Sequence, residues 1–104
     1  MYEIKSVQSK VEQEHICGQC EIVYDIDTMA YAAYEDDILI GAAQFNIKGK
    51  AGYICDLKCS NIEALYLLER TIISFLELCG IKDVYFNGEK CSSNSNPCNH
   101  TPSL

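Results

Sequence analysis

Apolar residues recur along the chain in two rhythms, and the change from one to the other marks out its elements. Over residues 62–79, Leu65, Leu68, Ile72, Phe75, Leu76 and Cys79 return every three or four positions, the spacing that lines one face of a helix. Ser60-Asn61-Ile62-Glu63 has a capping-box pattern before it, and Gly80 stands where a C-terminal cap belongs. A patchier helix is predicted over residues 9–24, opened by Ser9-Lys10-Val11-Glu12 and interrupted by Gly18. Between the two helices the rhythm is that of β-strands. Residues 29–35 and 38–47 flank Asp36-Asp37 and predict a hairpin. On its second strand Ile38, Ile40 and Ala42 face one way while Leu39, Ala43 and Phe45 face the other. Both faces are apolar, so the sheet should be covered on both sides.

Lys48-Gly49-Lys50-Ala51-Gly52 reads as a second turn, leading into a strand at 53–58. It lacks the Gly-Lys-Ser/Thr of a phosphate loop. After Gly80, residues 82–86 form another strand. Strand, helix and strand over 53–87 then make one βαβ unit, with a right-handed crossover and parallel strands. Residues 2–7 are predicted to open the sheet. The fold class is therefore α/β (α+β): a mixed, mainly antiparallel sheet flanked by helices. From Asn87 onward Asn, Ser, Cys and Pro dominate, and Pro97 and Pro102 are the only prolines. A stretch so poor in apolar residues cannot offset its chain entropy by burial, which divides the chain into a domain at 1–87 and a polar, flexible tail at 88–104. The strand at 82–87 would then end the sheet, and an unpaired edge of this kind predicts a homodimer.

Composition narrows the function. A length of 104 residues fits one domain, and an apolar share of 48% is enough for a core. A formal net charge of −7 argues against a nucleic-acid binder, and no apolar run approaches the roughly 18 residues of a membrane span. Met1-Tyr2-Glu3-Ile4-Lys5 lacks the apolar core of a signal peptide, so a cytoplasmic location is expected. The charge is uneven: Lys10 and Lys48 bracket eight acidic residues and no basic one. Such a face suits a cationic acceptor.

Seven cysteines are many for such a chain. Cys55, Cys59 and Cys79 lie in apolar segments and are expected to be reduced core thiols. Cys91 and Cys98, in the polar tail, are expected to be the most reactive. Cys17-Gly18-Gln19-Cys20 is a lone C-x-x-C, and only Cys91 and Cys98 could complete a zinc site with it. A cysteine-based metal or redox protein is thus a rival reading, with no metal site assigned.

The order strand, helix, hairpin, strand, long helix, parallel strand resembles the first two-thirds of the GNAT superfamily of acyl-CoA N-acetyltransferases. Ala32-Ala33-Tyr34-Glu35-Asp36-Asp37-Ile38-Leu39-Ile40-Gly41-Ala42-Ala43-Gln44-Phe45 is similar to the family's central hairpin. Tyr53-Ile54-Cys55-Asp56-Leu57-Lys58-Cys59 is similar to its fourth strand, and residues 65–86 to the helix and fifth strand that follow. The resemblance covers residues 2–87 and stops short of the family's C-terminal helix and strands. It implies acetyl-CoA as cofactor, with the pantetheine arm on the backbone of Asp56, Leu57 and Lys58. The pyrophosphate would lie on the loop and helix start at Cys59, Ser60, Asn61 and Ile62. That loop lacks the family's glycines, and Glu63 places a carboxylate in the first helical turn. The implied reaction is acetyl transfer to a small-molecule or peptide amine. Asp56, or Glu35 or Asp37 on the hairpin, could accept a proton and Tyr85 could donate one. The alternative on the same fold is a non-catalytic interaction or regulatory module.

Overall fold

The structure is a computed structural model and describes residues 1–91. Its elements are β1 (Tyr2–Ser6), α1 (Lys10–Gln19), β2 (Met29–Glu35), β3 (Ile38–Lys48), β4 (Ala51–Cys59), α2 (Ile62–Leu78), β5 (Asp83–Phe86) and β6 (Glu89–Cys91). The strands form one sheet in sequence order. Neighbours are antiparallel except β4 and β5, which run parallel and are joined through α2. The predicted βαβ unit and hairpin are both present. Asp36 and Asp37, at φ of 51° and 71°, make the left-handed turn that suits a two-residue hairpin.

Helices cover both faces of the sheet. Against α2 lie Ala33, Ala43, Phe45, Ile54, Val84 and the buried face of the helix, including Leu68, Ile72 and Leu76. Tyr31, Phe45 and Phe75 form an aromatic trio there, with ring centroids 5.7 to 6.2 Å apart. The α1 face is thinner. Ala32 and Ala42 meet Ile16, Cys17 and Ile22, and the small strand residues let the helix approach closely.

Two bulges alter the predicted alternation. Ala33 pairs with Gly41 but Tyr34 pairs with Leu39, leaving Ile40 as the extra residue of β3. Leu39 consequently packs on the α1 side with Ala42, and Ile40 on the α2 side with Ala43. The sequence pattern assigned these two to the opposite faces, because a bulge reverses the phase of the strand. Near this point β3 and β4 approach closely. A Cβ added at Gly41 would meet the Lys58 carbonyl oxygen at 2.5 Å.

Both helices end in the same way. Gly80, at φ 85°, lets its own N–H and that of Ile81 reach the carbonyls of Glu77 and Leu76, each at 2.9 Å. On α1 the equivalent left-handed position is Glu21, φ 60°, with Ile22 N–H bonded to the Cys17 carbonyl at 2.8 Å. This cap closes α1 at Gln19, well before the predicted end at residue 24. Gly18 lies inside the helix rather than interrupting it. At the start of α2 the cap is Asn61, one residue later than the capping-box pattern implied.

The largest departure lies past Phe86. Asn87 and Gly88, both at positive φ, turn the chain back into β6. Residues 89–91, expected to begin a tail, pair antiparallel with β5. Cys91 is 1% exposed and its Sγ lies 3.8 Å from the Glu69 carboxylate on α2. One apolar side chain and one buried thiol hydrogen bond suffice to dock three otherwise polar residues. The β5 edge on which the expected homodimer rested is therefore covered, and β1 and β6 are the outer strands among the described residues. The cysteine expectations reverse as well: Cys55 and Cys79 are exposed, whereas Cys91 is buried. Cys98 and the rest of the predicted tail lie outside the described residues. No helix among the described residues is long and apolar enough to cross a membrane.

Candidate functional site

β4 has two halves. Residues 51–54 are paired on both sides, with β3 and with β5. Beyond Ile54 the pairing with β5 stops, because β5 turns away at Asn87 and Gly88. From Cys55 to Cys59, β3 is β4's only strand neighbour among the described residues. A bulge falls at this point: Gln44 pairs with Asp56 and Phe45 with Ile54, so Cys55 is the extra residue. The added twist helps the two strands part. They leave a cleft of about 470 Å³ lined by Tyr53, Ile54, Cys55, Tyr85, Asn87 and Gly88. Backbone groups along such an edge need partners, and an extended ligand rich in amides could supply them.

Ile54 and Val84 belong to the α2-side core, so alternation puts Tyr53 and Tyr85 on the opposite face. Their rings stack at 5.5 Å and 21°. Asp56 lies on that face too, across from Gln44. Gln44 is fully buried, and each end of its amide is used. Its Oε1 accepts from the Asp25 backbone N–H at 3.0 Å and from Gln13 Nε2 at 2.8 Å. Its Nε2 donates to the Val23 carbonyl at 2.8 Å and to Asp56 Oδ2 at 2.9 Å. Thr28 completes the cluster by donating from Oγ1 to the Asp25 carbonyl at 2.7 Å. One side chain therefore ties α1, the segment between α1 and β2, β3 and the Asp56 carboxylate together.

The surroundings are negative. Burial pushes the Cys55 thiol up from its ordinary value, and Asp56 and Asp25 push it further, against a smaller opposing pull from Lys48. Cys55 is thus a poor nucleophile despite its exposure. Burial, then Cys20 and Asp56, act the same way on Cys17, and burial chiefly on Cys20. No group of three or more metal-ligating side chains occurs among the described residues.

The residues singled out from the sequence fall into two groups. Asp56 and Tyr85 share the α1 face of the β4–β5 region. Leu57 and Cys59 pack toward the α2-side core. Lys58 reaches Glu21, with Nζ 3.7 Å from its carboxylate, and so bridges β4 to the end of α1. At the start of α2 three of the anion donors are already engaged. Asn61 Oδ1 accepts from Glu63 N–H at 2.9 Å and Ala64 N–H at 3.1 Å, and Ser60 N–H is bonded to the Ile40 carbonyl. Ile62 is exposed. Sequence reasoning missed Gln44. The signal was a single polar residue within the apolar run 38–45 of a strand buried on both faces, where an amide must find partners.

No family model matches the sequence, and no curated protein does. Solved structures do share its fold. An IAA acetyltransferase from Bacillus cereus ATCC 14579 superposes with TM-score 0.69 at 11% identity, over 83% of this chain and 65% of that one. N-acetylglutamate synthase from Neisseria gonorrhoeae, complexed with coenzyme A and N-acetyl-glutamate, gives 0.66 at 15%, over 83% and 25% of the respective chains. The PaiA N-acetyltransferase from Thermoplasma acidophilum, in complex with coenzyme A, gives 0.55 at 16%, over 73% and 48%. The chain thus has the GNAT fold, and it spans from a quarter to about two-thirds of the length of these structures.

Proposed function

We propose that this chain binds an acyl-CoA through its pantetheine arm in the β4–β5 cleft and transfers the acetyl group to an amine. The observation that carries the reading is the β4 edge beyond Ile54, which has no strand neighbour on the β5 side among the described residues and opens at Cys55 onto the cleft where β5 has turned away. The shared fold of coenzyme A-bound acetyltransferases supports it. The fit is partial: the strand edge and cleft suit the pantetheine amides, whereas the capped start of α2 does not suit the pyrophosphate.

Bound acetyl-CoA supplies a thioester whose acyl carbon accepts the amine nitrogen as its C–S bond breaks. The protein's own work lies around that exchange. Asp56, held in one orientation by Gln44, accepts a proton from the incoming ammonium group. Asp25 and Asp27 make the approach favourable for a cation. Tyr85, stacked on Tyr53 at the cleft, donates a proton to the departing sulfur.

Thermal unfolding with and without acetyl-CoA tests the reading. A ligand at ten times its Kd adds about 1.4 kcal/mol, a rise of about 6 to 11 °C in Tm for a domain of this size. An unchanged, cooperative melt at millimolar acetyl-CoA overturns it. That result would favour a non-catalytic interaction module on the same fold, a reading already supported by the occupied donors at the start of α2.

A further inference from the structure

The two halves of an acyl-CoA meet very different surfaces here. Along the strand edge, where the pantetheine amides would lie, the chain offers main-chain donors and acceptors. At the helix start, where an anion would gain from free N–H groups and the dipole, the N–H groups of Ser60, Glu63 and Ala64 are already taken. The N–H groups of Glu63 and Ala64 both point at Asn61 Oδ1. Leu65 N–H is bonded to the Asn61 carbonyl at 2.9 Å and Ser60 N–H to the Ile40 carbonyl at 3.0 Å. Burial and then the Glu35 and Glu63 carboxylates push the Tyr2 hydroxyl up from its ordinary value. Glu63 places a carboxylate in the first turn of α2, beside the place a pyrophosphate would occupy. The nearest basic group on β4, Lys58, is directed to Glu21. The single arginine, Arg70, stands two turns along α2, about 12 Å of rise from the helix start, and lines a cleft with Tyr2 and Glu63.

We infer that the donor this site selects is a thioester of pantetheine recognised through its pantetheine arm alone, with the phosphorylated adenosine half of coenzyme A adding no affinity. The inference rests on the proposed function and sharpens it. It changes the substrate class from acyl-CoA in particular to pantetheine thioesters in general, including those carried on smaller or different leaving groups.

The test compares acetyl-CoA with S-acetylpantetheine, which lacks the nucleotide, by calorimetry and by thermal shift on the full chain. The expected result is two dissociation constants within about threefold of each other and little sensitivity to salt, because no phosphate is gripped. Acetyl-CoA binding more than about threefold tighter than acetylpantetheine overturns the inference and leaves the proposed function standing. Binding of neither compound overturns both.

A paired variant checks the cause. Asn61→Gly with Glu63→Gln frees two N–H groups and removes one charge, and glycine is a tolerated N-cap. Affinity for acetyl-CoA should rise about tenfold, the effect of one or two charge-assisted hydrogen bonds, with acetylpantetheine unchanged. Glu63→Gln alone keeps the cap, and hence the fold, and should give a smaller rise of the same sign. No rise in either variant shows that the occupied helix start is not what sets the selectivity, and the inference falls.

Discussion

The two faces of the sheet are held by different forces. On the α2 face, an amphipathic helix of 17 residues lays Leu68, Ile72 and Leu76 on large strand side chains, and three aromatic rings fill the centre. On the α1 face, a helix of 10 residues with a weak apolar stripe rests on alanines, and a buried glutamine gathers hydrogen bonds from three directions. Burial is non-directional and scales with area, so the first face supplies stability. Hydrogen bonds are directional and costly when left unmade, so the second supplies arrangement. The candidate Asp56 carboxylate stands on the second face. A site that needs a fixed orientation more than a large area gains from being there.

That contrast can be broken by substitution. The largest effect is expected from Phe45→Ala, which removes the middle ring of the aromatic trio at a fully buried position. It should cost about 3 to 5 kcal/mol in urea unfolding. Stability should be lost while the polar cluster around Gln44 keeps its pattern, read by amide exchange at Asp25. A cost below about 1 kcal/mol would contradict the assignment of the main core to this face.

Gln44→Leu should cost somewhat less, about 2 to 3 kcal/mol, because its shape is nearly kept but buried partners are left unmatched. Its particular signature is faster exchange of the Asp25 amide, with β4 and β5 amides unaffected. Gln44→Glu adds a sign that pH can read. A carboxyl in this buried place next to Asp56 has its pKa raised above the unfolded value. The variant should therefore be most stable in acid, below the unfolded value of about 4.3, and lose stability as pH rises through the folded value. A flat profile would mean that the cluster opens to water.

Cys91 supplies a pH test on the α2 side. Burial, then the Glu69 carboxylate, push its thiol up to about 11 from 9.0. The folded value is raised, so the contribution is fully present below pH 9 and is lost as pH climbs toward 11. Urea midpoints across that window should fall, and Cys91→Ala should flatten the fall. Thiol labelling of the native protein should modify Cys55 and Cys79 well before Cys91.

The smallest effects belong to the helix ends, where the two faces are built alike. Glu21→Gly relieves a non-glycine residue at φ 60° and should gain at most about 1 kcal/mol. The loss of the exposed ion pair with Lys58 subtracts little from this. Gly80→Ala, at φ 85°, should lose about as much. Equal signs in the two variants would show that the helix ends are not equivalent.

Local patterning made much of this protein legible. The periodicity of residues 62–79, the Asp36-Asp37 turn and the strand-helix-strand order determined α2, the β2–β3 hairpin and the parallel pairing of β4 with β5. Each depends on residues close in sequence whose spacing directly reports which face is buried. The GNAT fold followed from their order. Asp56 and Tyr85 were legible as polar groups on the relevant strands. What they face was not.

Tertiary structure decided the rest, because the deciding contacts join residues far apart in the chain. The bulges at Ile40 and Cys55 depend on how two strands accommodate each other's twist, and one extra residue reverses a face without leaving a mark in the pattern. The role of Gln44 depends on partners from residue 13 to residue 56. β6 exists because Cys91 finds a buried place beside Glu69 on a helix 22 positions away, although its own three residues carry no strand signal. Asn61 rather than Ser60 caps α2, and the Ser60 N–H that a capping box would give to Glu63 is bonded instead to the Ile40 carbonyl on β3. Sequence patterns report burial, which is a property of each residue's own surroundings. Hydrogen-bond partnership and strand register are properties of pairs, and only the folded chain brings those pairs together.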